Sequence, residues 1–335
     1  MSDRKIGPLE ACAYGDAYGA GLEYASPHRV HILNDLAGYI QHHKWKGIKP
    51  GCYTDDTQMA LALSEFMMSG HEWSFLNIAS AWVDTFHRDP HEGYAGRFWE
   101  FLKGTKTGAD FLKNIRPHSS KSGGAMRAFP CGFLSNPRKV RDRAMFQAST
   151  THATMDGMRA AAGAALMFHY CYHNLGPKVG MPMFLDKWVP GCQFSVPWHG
   201  KVGSPGLEST RAAVTSVVAN NSLAEVLRSS VAWVGDVDTV AAIAMPAAAT
   251  CLEVENTLPQ VLIDGLENGA FGRDYLIQID RMLTTMHPPQ YMVQATRDAA
   301  QAALKAELKA ELNSRQAVKP EISEDNPIAL LFQDD

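Results

Sequence analysis

Apolar residues recur at spacings of three and four along almost the whole of this chain, and the alternation expected of strands is nearly absent. The stretches Trp73 to His87, Ala95 to Leu102, Ala153 to Tyr172, Thr210 to Asn220 and Leu223 to Trp233 all carry this helical period. The pattern predicts an all-α fold. With 335 residues, 46% hydrophobic and 20% charged, the chain can bury one substantial core, and we read it as a compact single-domain bundle of many helices. The exception is Asn174 to Gly206, where proline or glycine falls every few residues and rules out a long helix. That segment is either an irregular connection or a lid, and Trp188, Phe194 and Trp198 would then offer aromatic faces to a ligand.

Two helix starts carry more acid than a cap needs. In "YTDDTQMALALSEF", Thr54, Asp55, Asp56 and Thr57 precede Met59, Ala62, Leu63, Phe66 and Met67 at helical spacing. Threonine and aspartate there serve orphan N–H groups and the helix dipole, so one occurrence is satisfied by capping alone. The chain repeats the arrangement in "VAWVGDVDTVAAIAMPAAA", where Asp236, Asp238 and Thr239 open a run of small apolar residues. Four carboxylates and several hydroxyls, with no sulfur, form an oxygen donor set that suits Mg²⁺ or Mn²⁺ and disfavours zinc or copper. If the two segments meet, a divalent cation is the natural neutraliser.

A third segment, "PLEACAYGDAYGAGLEY", is dense in alanine and glycine and sets Asp16 seven residues before Glu23. Two turns of helix would put both near one face; taken alone, Asp16 braces a neighbouring helix and Glu23 is solvated. The blocks "GDAYGAGLE", "TDDTQMALAL" and "GDVDTVAAIA", in this order, resemble the signature blocks of the ADP-ribosylglycohydrolase family, which includes the dinitrogenase reductase-activating glycohydrolases. "KSGGAMRAFP" and "TTHATMDGMRAA" resemble two further family blocks, and "HEGYAGRF" a glycine-rich substrate loop. The likeness runs from about Ile6 to Phe271, within a domain expected over 1–315, followed by a tail over 316–335.

The resemblance implies a cleft holding two Mg²⁺ (Mn²⁺ also suits), with Thr54, Asp55, Asp56, Asp236, Asp238 and Thr239 as ligands. It implies Glu23 as the catalytic base, with Asp55 or Asp56 next, and substrate contacts from Ser122, Gly123, Gly124, His152, Gly93 and Tyr94. The expected activity is removal of ADP-ribose from an acceptor, arginine on protein being the first choice among arginine, serine, acetyl and guanidine linkages. Two departures stand out. Lys121 and Ser122 replace the glycine and asparagine of a G-N-G loop, and Met245 stands where the family has glycine.

Two rivals remain open at this stage. "DVDTV" also fits the nucleophile motif of haloacid-dehalogenase-like phosphatases, which belongs at the end of a parallel strand. A non-catalytic ADP-ribose-binding relative would keep the fold without turnover. Net charge of -4 with scattered Lys and Arg gives no footprint for nucleic acid. Six widely separated cysteines suggest neither disulfides nor zinc, and no run has the length of a signal peptide core or membrane span. The expectation is a cytoplasmic monomer with no membrane or nucleic-acid partner, acting on an ADP-ribosylated protein or a small ADP-ribosyl substrate. Near the C-terminus, Leu304, Leu308 and Leu312 form a helical stripe, and Ile328 to Phe332 form an apolar knot.

Overall fold

The computed structural model describes residues 4–317 and resolves the apolar spacing into helices alone, with isolated bridges but no strand among those residues. In chain order they are α1 (Pro8–Ala20), α2 (Pro27–Leu33), α3 (Asp55–Met68), α4 (Phe75–Arg88), α5 (Gly96–Gly104), α6 (Gly108–Asn114), α7 (Pro137–Ser149), α8 (Met155–Tyr172), α9 (Met181–Trp188), α10 (Gly206–Ala219), α11 (Leu223–Ala232), α12 (Val237–Thr250), α13 (Gln260–Gly265), α14 (Arg273–Met286) and α15 (Gln290–Ala317). The all-α expectation is met. No helix among the described residues is long and apolar enough to cross a membrane. The chain divides into two compact units, Met1–Gln290 and Tyr291–Asp335. The stripe of Leu304, Leu308 and Leu312 lies on α15, but what these side chains touch, and the knot at 328–332, lie outside the described residues.

The centre of the first unit is a pair of helices buried on every side. Every residue of α1 is buried, as is α12 from Val237 to Ala249, which is why neither shows a polar face in the sequence. Glycine makes their contact close. A Cβ on Gly15 would lie 2.7 Å from the Ala241 carbonyl oxygen, and one on Gly19 would lie 2.4 Å from the Asp238 Cα. Each glycine costs helix stability of about 0.5–1 kcal/mol relative to alanine, and the approach it permits decides where Asp238 sits. Met245 fits the same logic: its Cγ would lie 3.0 Å from a Cβ at Gly15, so the space a family glycine leaves on α12 is matched here from α1. Around this pair pack α3, α8, α10, α11 and α14.

The Pro/Gly-rich segment is less irregular than its composition suggests. It holds a 3-10 turn, Lys178–Gly180, running straight into α9, with positive-φ residues before the pair at Asn174 and Gly176 and after it at Gly191, Gln193 and Gly200. Phe194 is buried against Gly163, while Trp188 and Trp198 are half-buried against the core. None of the three borders the cleft described below. The end of the segment serves as a seam: Val202 N donates to Val234 O (3.0 Å), Asp236 N to Val202 O (3.3 Å), and Ser122 N to Ser204 O (3.0 Å).

Candidate active site

The N-terminus of α3 is capped from another helix. Thr54 is extended and its side chain makes no capping bond. The fully buried Asp16 of α1 accepts from the N–H groups of Thr54 (2.8 Å) and Thr57 (3.0 Å) and from both hydroxyls (2.6 Å each). Asp16 therefore braces α3 and releases Asp55 and Asp56 from that duty. Glu23 does not share its helical face, because α1 ends at Ala20 and Glu23 lies in the turn beyond. That turn is tied back by Tyr24 N donating to Gly235 O (2.8 Å), which carries Glu23 to the start of α12.

At that start Gly235 takes φ +106°, and a Cβ there would fall 1.8 Å from Val202 O, so only glycine fits. Asp236 is the N-cap but makes no side-chain cap bond, and Asp238 follows in the first turn. Carboxylate oxygens of Glu23, Asp236 and Asp238 all lie within 4.8 Å of one another. Two unit charges at that separation repel by about 3–4 kcal/mol at an effective dielectric of about 20, and there are three such pairs. Burial first, then the neighbouring carboxylates, pushes Asp55, Asp56 and Asp238 well above the usual range. Burial and Glu23 lift Asp236 to about 7, against hydrogen bonds from Ser122 and Thr239. Asp56 Oδ1 and Asp236 Oδ2 are buried with no hydrogen-bond partner. Orphaned oxygens, mutual repulsion and a donor set without nitrogen or sulfur fit a hard divalent cation, so the cluster is a candidate metal site.

These acids form one wall of a cleft of about 660 Å³. Glu23, Asp55, Asp56, Asp236, Asp238 and Thr239 line it together with Ser122, Gly123, His152, Gly93 and Tyr94. Two expected residues stand behind the surface. The Thr54 hydroxyl donates to Asp16, and Gly124 is buried against Ala148 and His152. Gly93 takes φ +108°, and a Cβ on it would lie 2.6 Å from Asp55 Oδ1, so the loop can run close beside the acids only as glycine. Tyr94 is buried and donates its hydroxyl to Gln58 Oε1 (2.8 Å), leaving its ring to the cleft. Trp45, Phe98 and Trp99 extend this aromatic wall, and Arg116 and Lys121 also line it.

The buried Arg127, also on the cleft, makes no ion pair with a carboxylate among the described residues. It lies 3.9 Å over the Trp82 ring and donates to Gln147 Oε1 (2.8 Å) and Thr151 Oγ1 (2.7 Å). A guanidinium only donates, so Thr151 accepts there and turns its own proton to His152 Nδ1, 2.6 Å away. The His152 Nε2–H is then the donor that remains for a ligand. Burial, then Arg127, lowers His152 from 6.5 to about 3, so it acts as a neutral donor. Between those values the unfolded ring binds a proton that the folded ring refuses, and stability falls as pH falls through the window. An NMR titration should show no His152 transition until near 3; a transition close to 6.5 would contradict the assignment.

The sequence singles out Asp16 as a brace for a neighbouring helix, and it braces α3; Arg127, Thr151 and the aromatics Trp45, Phe98 and Trp99 carry no such sign in the sequence. Arg127 lies inside "KSGGAMRAFP", but a lone arginine carries no sign that it will be buried. The DVDTV phosphatase reading fails on structure: the motif opens α12 rather than ending a strand.

An all-α fold enclosing a carboxylate-lined cleft defines a protein with a candidate metal site. The ADP-ribosylglycohydrolase family model matches residues 1–291, and the chain belongs to that family of glycosidic-bond hydrolases. Among curated relatives, the ADP-ribosylarginine hydrolase Tri1 of Pseudomonas putida (strain GB-1) is 23% identical, over 77% of this chain and 73% of its own length. The ADP-ribosyl-[dinitrogen reductase] glycohydrolase of Rhodospirillum rubrum is 24% identical, over 53% of this chain and 61% of its own. ADP-ribosylhydrolase ARH3 of Xenopus tropicalis is 26% identical, over 54% of each. The chain thus aligns with less than two thirds of the length of the latter two. A solved structure described as an ADP-ribosylglycohydrolase-related protein complex superposes with a TM-score of 0.61 at 19% identity, over 85% of this chain and 98% of that one, a likeness of fold.

Proposed function

We propose that this protein is a Mg²⁺-dependent hydrolase that removes ADP-ribose from arginine on a modified protein. The observation that carries this reading is the convergence of five carboxylates in one cleft that Ser122, Gly123 and the His152 donor also line. Two Mg²⁺ would be held by Asp55, Asp56, Asp236, Asp238 and Thr239, supplying charge neutralisation and Lewis acidity toward ribose hydroxyls and water, while Thr54, tied to Asp16, backs the set. Glu23 stands beside that set with its carboxylate half-buried, and in this reading it takes the proton of the water that attacks the anomeric carbon. The Gly123 backbone and His152 Nε2–H are donors matched to a pyrophosphate, where a missing Cβ lets the anion approach. The rings of Tyr94, Phe98 and Trp99 offer a stacking surface for adenine.

Arginine is preferred as the acceptor because the relative with the widest coverage of those described is named for that linkage. The test is release of free ADP-ribose from arginine-linked, serine-linked and O-acetyl substrates compared side by side. The reading expects fastest release from arginine. Faster release from serine would overturn the linkage, and binding of ADP-ribose without release from any substrate would favour a sensor.

A further inference from the structure

His42 lies outside the blocks that carry the family resemblance, in the loop between α2 and α3, and its ring has no freedom to turn. Its Nδ1 accepts from the backbone N–H groups of both Lys44 (3.0 Å) and Trp45 (3.0 Å). His43 stacks at 4.9 Å between centroids, and Trp45, itself a cleft residue, packs at 4.6 Å. Gln41 Nε2 closes the loop by donating to Ile48 O (2.7 Å). With Nδ1 committed as a double acceptor, the ring proton sits on Nε2. That Nε2–H is fully buried and has no hydrogen-bond partner. The atom it faces is Glu23 Oε2, 3.7 Å away.

A buried donor without a partner costs about 1–3 kcal/mol, so the arrangement persists for a reason other than local stability. Glu23 supplies one. It stands between two claims, the His42 donor on one side and the Asp236–Asp238 pair on the other, within 4.8 Å. A small rotation of the Glu23 side chain closes the gap to hydrogen-bond length. The bond would then hold one carboxylate oxygen and leave the other turned to the cleft. We infer that His42 is the positioning residue for Glu23, a fixed neutral donor that sets the orientation of the catalytic carboxylate. The inference rests on the reading of Glu23 as the base.

Two substitutions separate positioning from loop structure. His42→Asn keeps an acceptor for the Lys44 and Trp45 N–H groups, as an Asx turn does, but loses the distal donor. His42→Gln keeps a distal N–H and loses the turn acceptor. Both are measured for kcat and KM on an arginine-ADP-ribosylated protein, alongside Glu23→Gln and the double variant. The expected result is a fall in kcat of about 10- to 100-fold for His42→Asn with KM unchanged, the range typical of residues that orient a catalytic group. His42→Gln recovers most of the loss, and His42→Asn adds nothing in the Glu23→Gln background. Independently of turnover, the ¹⁵N shifts of the wild-type His42 ring should report protonation at Nε2.

Wild-type kcat in His42→Asn with Glu23→Gln inactive sinks the His42 role and leaves the base intact. Equal losses in the Asn and Gln variants, or a ring proton on Nδ1, overturn the positioning role as well. Full turnover by Glu23→Gln removes the base assignment and the inference with it.

Discussion

Replacing Asp56 with asparagine should cut turnover by about a thousandfold while raising the melting temperature of the metal-free protein. The two effects share one cause. Asp56 is buried, its Oδ1 has no hydrogen-bond partner, and its neighbours include the carboxylates of Asp16, Asp55 and Asp236. Burial and those charges raise its pKa well above the usual value, so ionised Asp56 is a liability to the fold when nothing offsets it. Asparagine removes the charge at nearly constant volume and should return about 1–2 kcal/mol. It also removes a metal ligand. Wild-type protein at a hundredfold excess of Mg²⁺ over its dissociation constant should gain about 2.7 kcal/mol, and the variant should lose most of that gain. Thermal melts with and without Mg²⁺ check both halves. A variant that is destabilised without metal would mean that Asp56 is structural.

The second large effect is at Gly19. Alanine there would put a Cβ 2.4 Å from Asp238 Cα and 2.8 Å from Asp238 N, backbone atoms that no rotamer change can move. The methyl group gains about 0.5–1 kcal/mol of helix propensity and costs about 1–3 kcal/mol or more in overpacking, so the second effect wins. Separation of α1 from α12 would also displace Asp238, so activity should fall more steeply than stability. Gly104 in α5 is the control, since nothing lies within 4 Å of a Cβ there and alanine should be neutral or stabilising. Denaturant melts and turnover measured on both variants check the comparison, and equal tolerance at the two sites would contradict it.

Where local pattern is strong, the sequence discloses the structure. The period of three and four places α4, α5, α8, α10 and α11 to within a few residues, and the paired acid blocks each open a helix. Other features depend on distant partners. Asp16 reads as a brace for a neighbouring helix and is one, but that the helix is α3, 38 residues away, is visible only in the fold. Glu23 looks two turns along a helix that in fact ends at Ala20. Met245 reads as crowding the second acid block until Gly15 is found opposite it. His42 and Arg127 gain meaning only from what burial denies them, a hydrogen-bond partner in one case and a counter-ion in the other. The Pro/Gly-rich segment suggests aromatics at the cleft, but its contribution is the backbone seam at Val202 and Ser204.

The most direct measurement is release of free ADP-ribose from an arginine-ADP-ribosylated protein with Mg²⁺, after EDTA, and after Mg²⁺ is restored. The account predicts release that stops with the chelator and returns with the metal. Release that EDTA leaves unchanged would contradict the metal-dependent cleft as the seat of the chemistry.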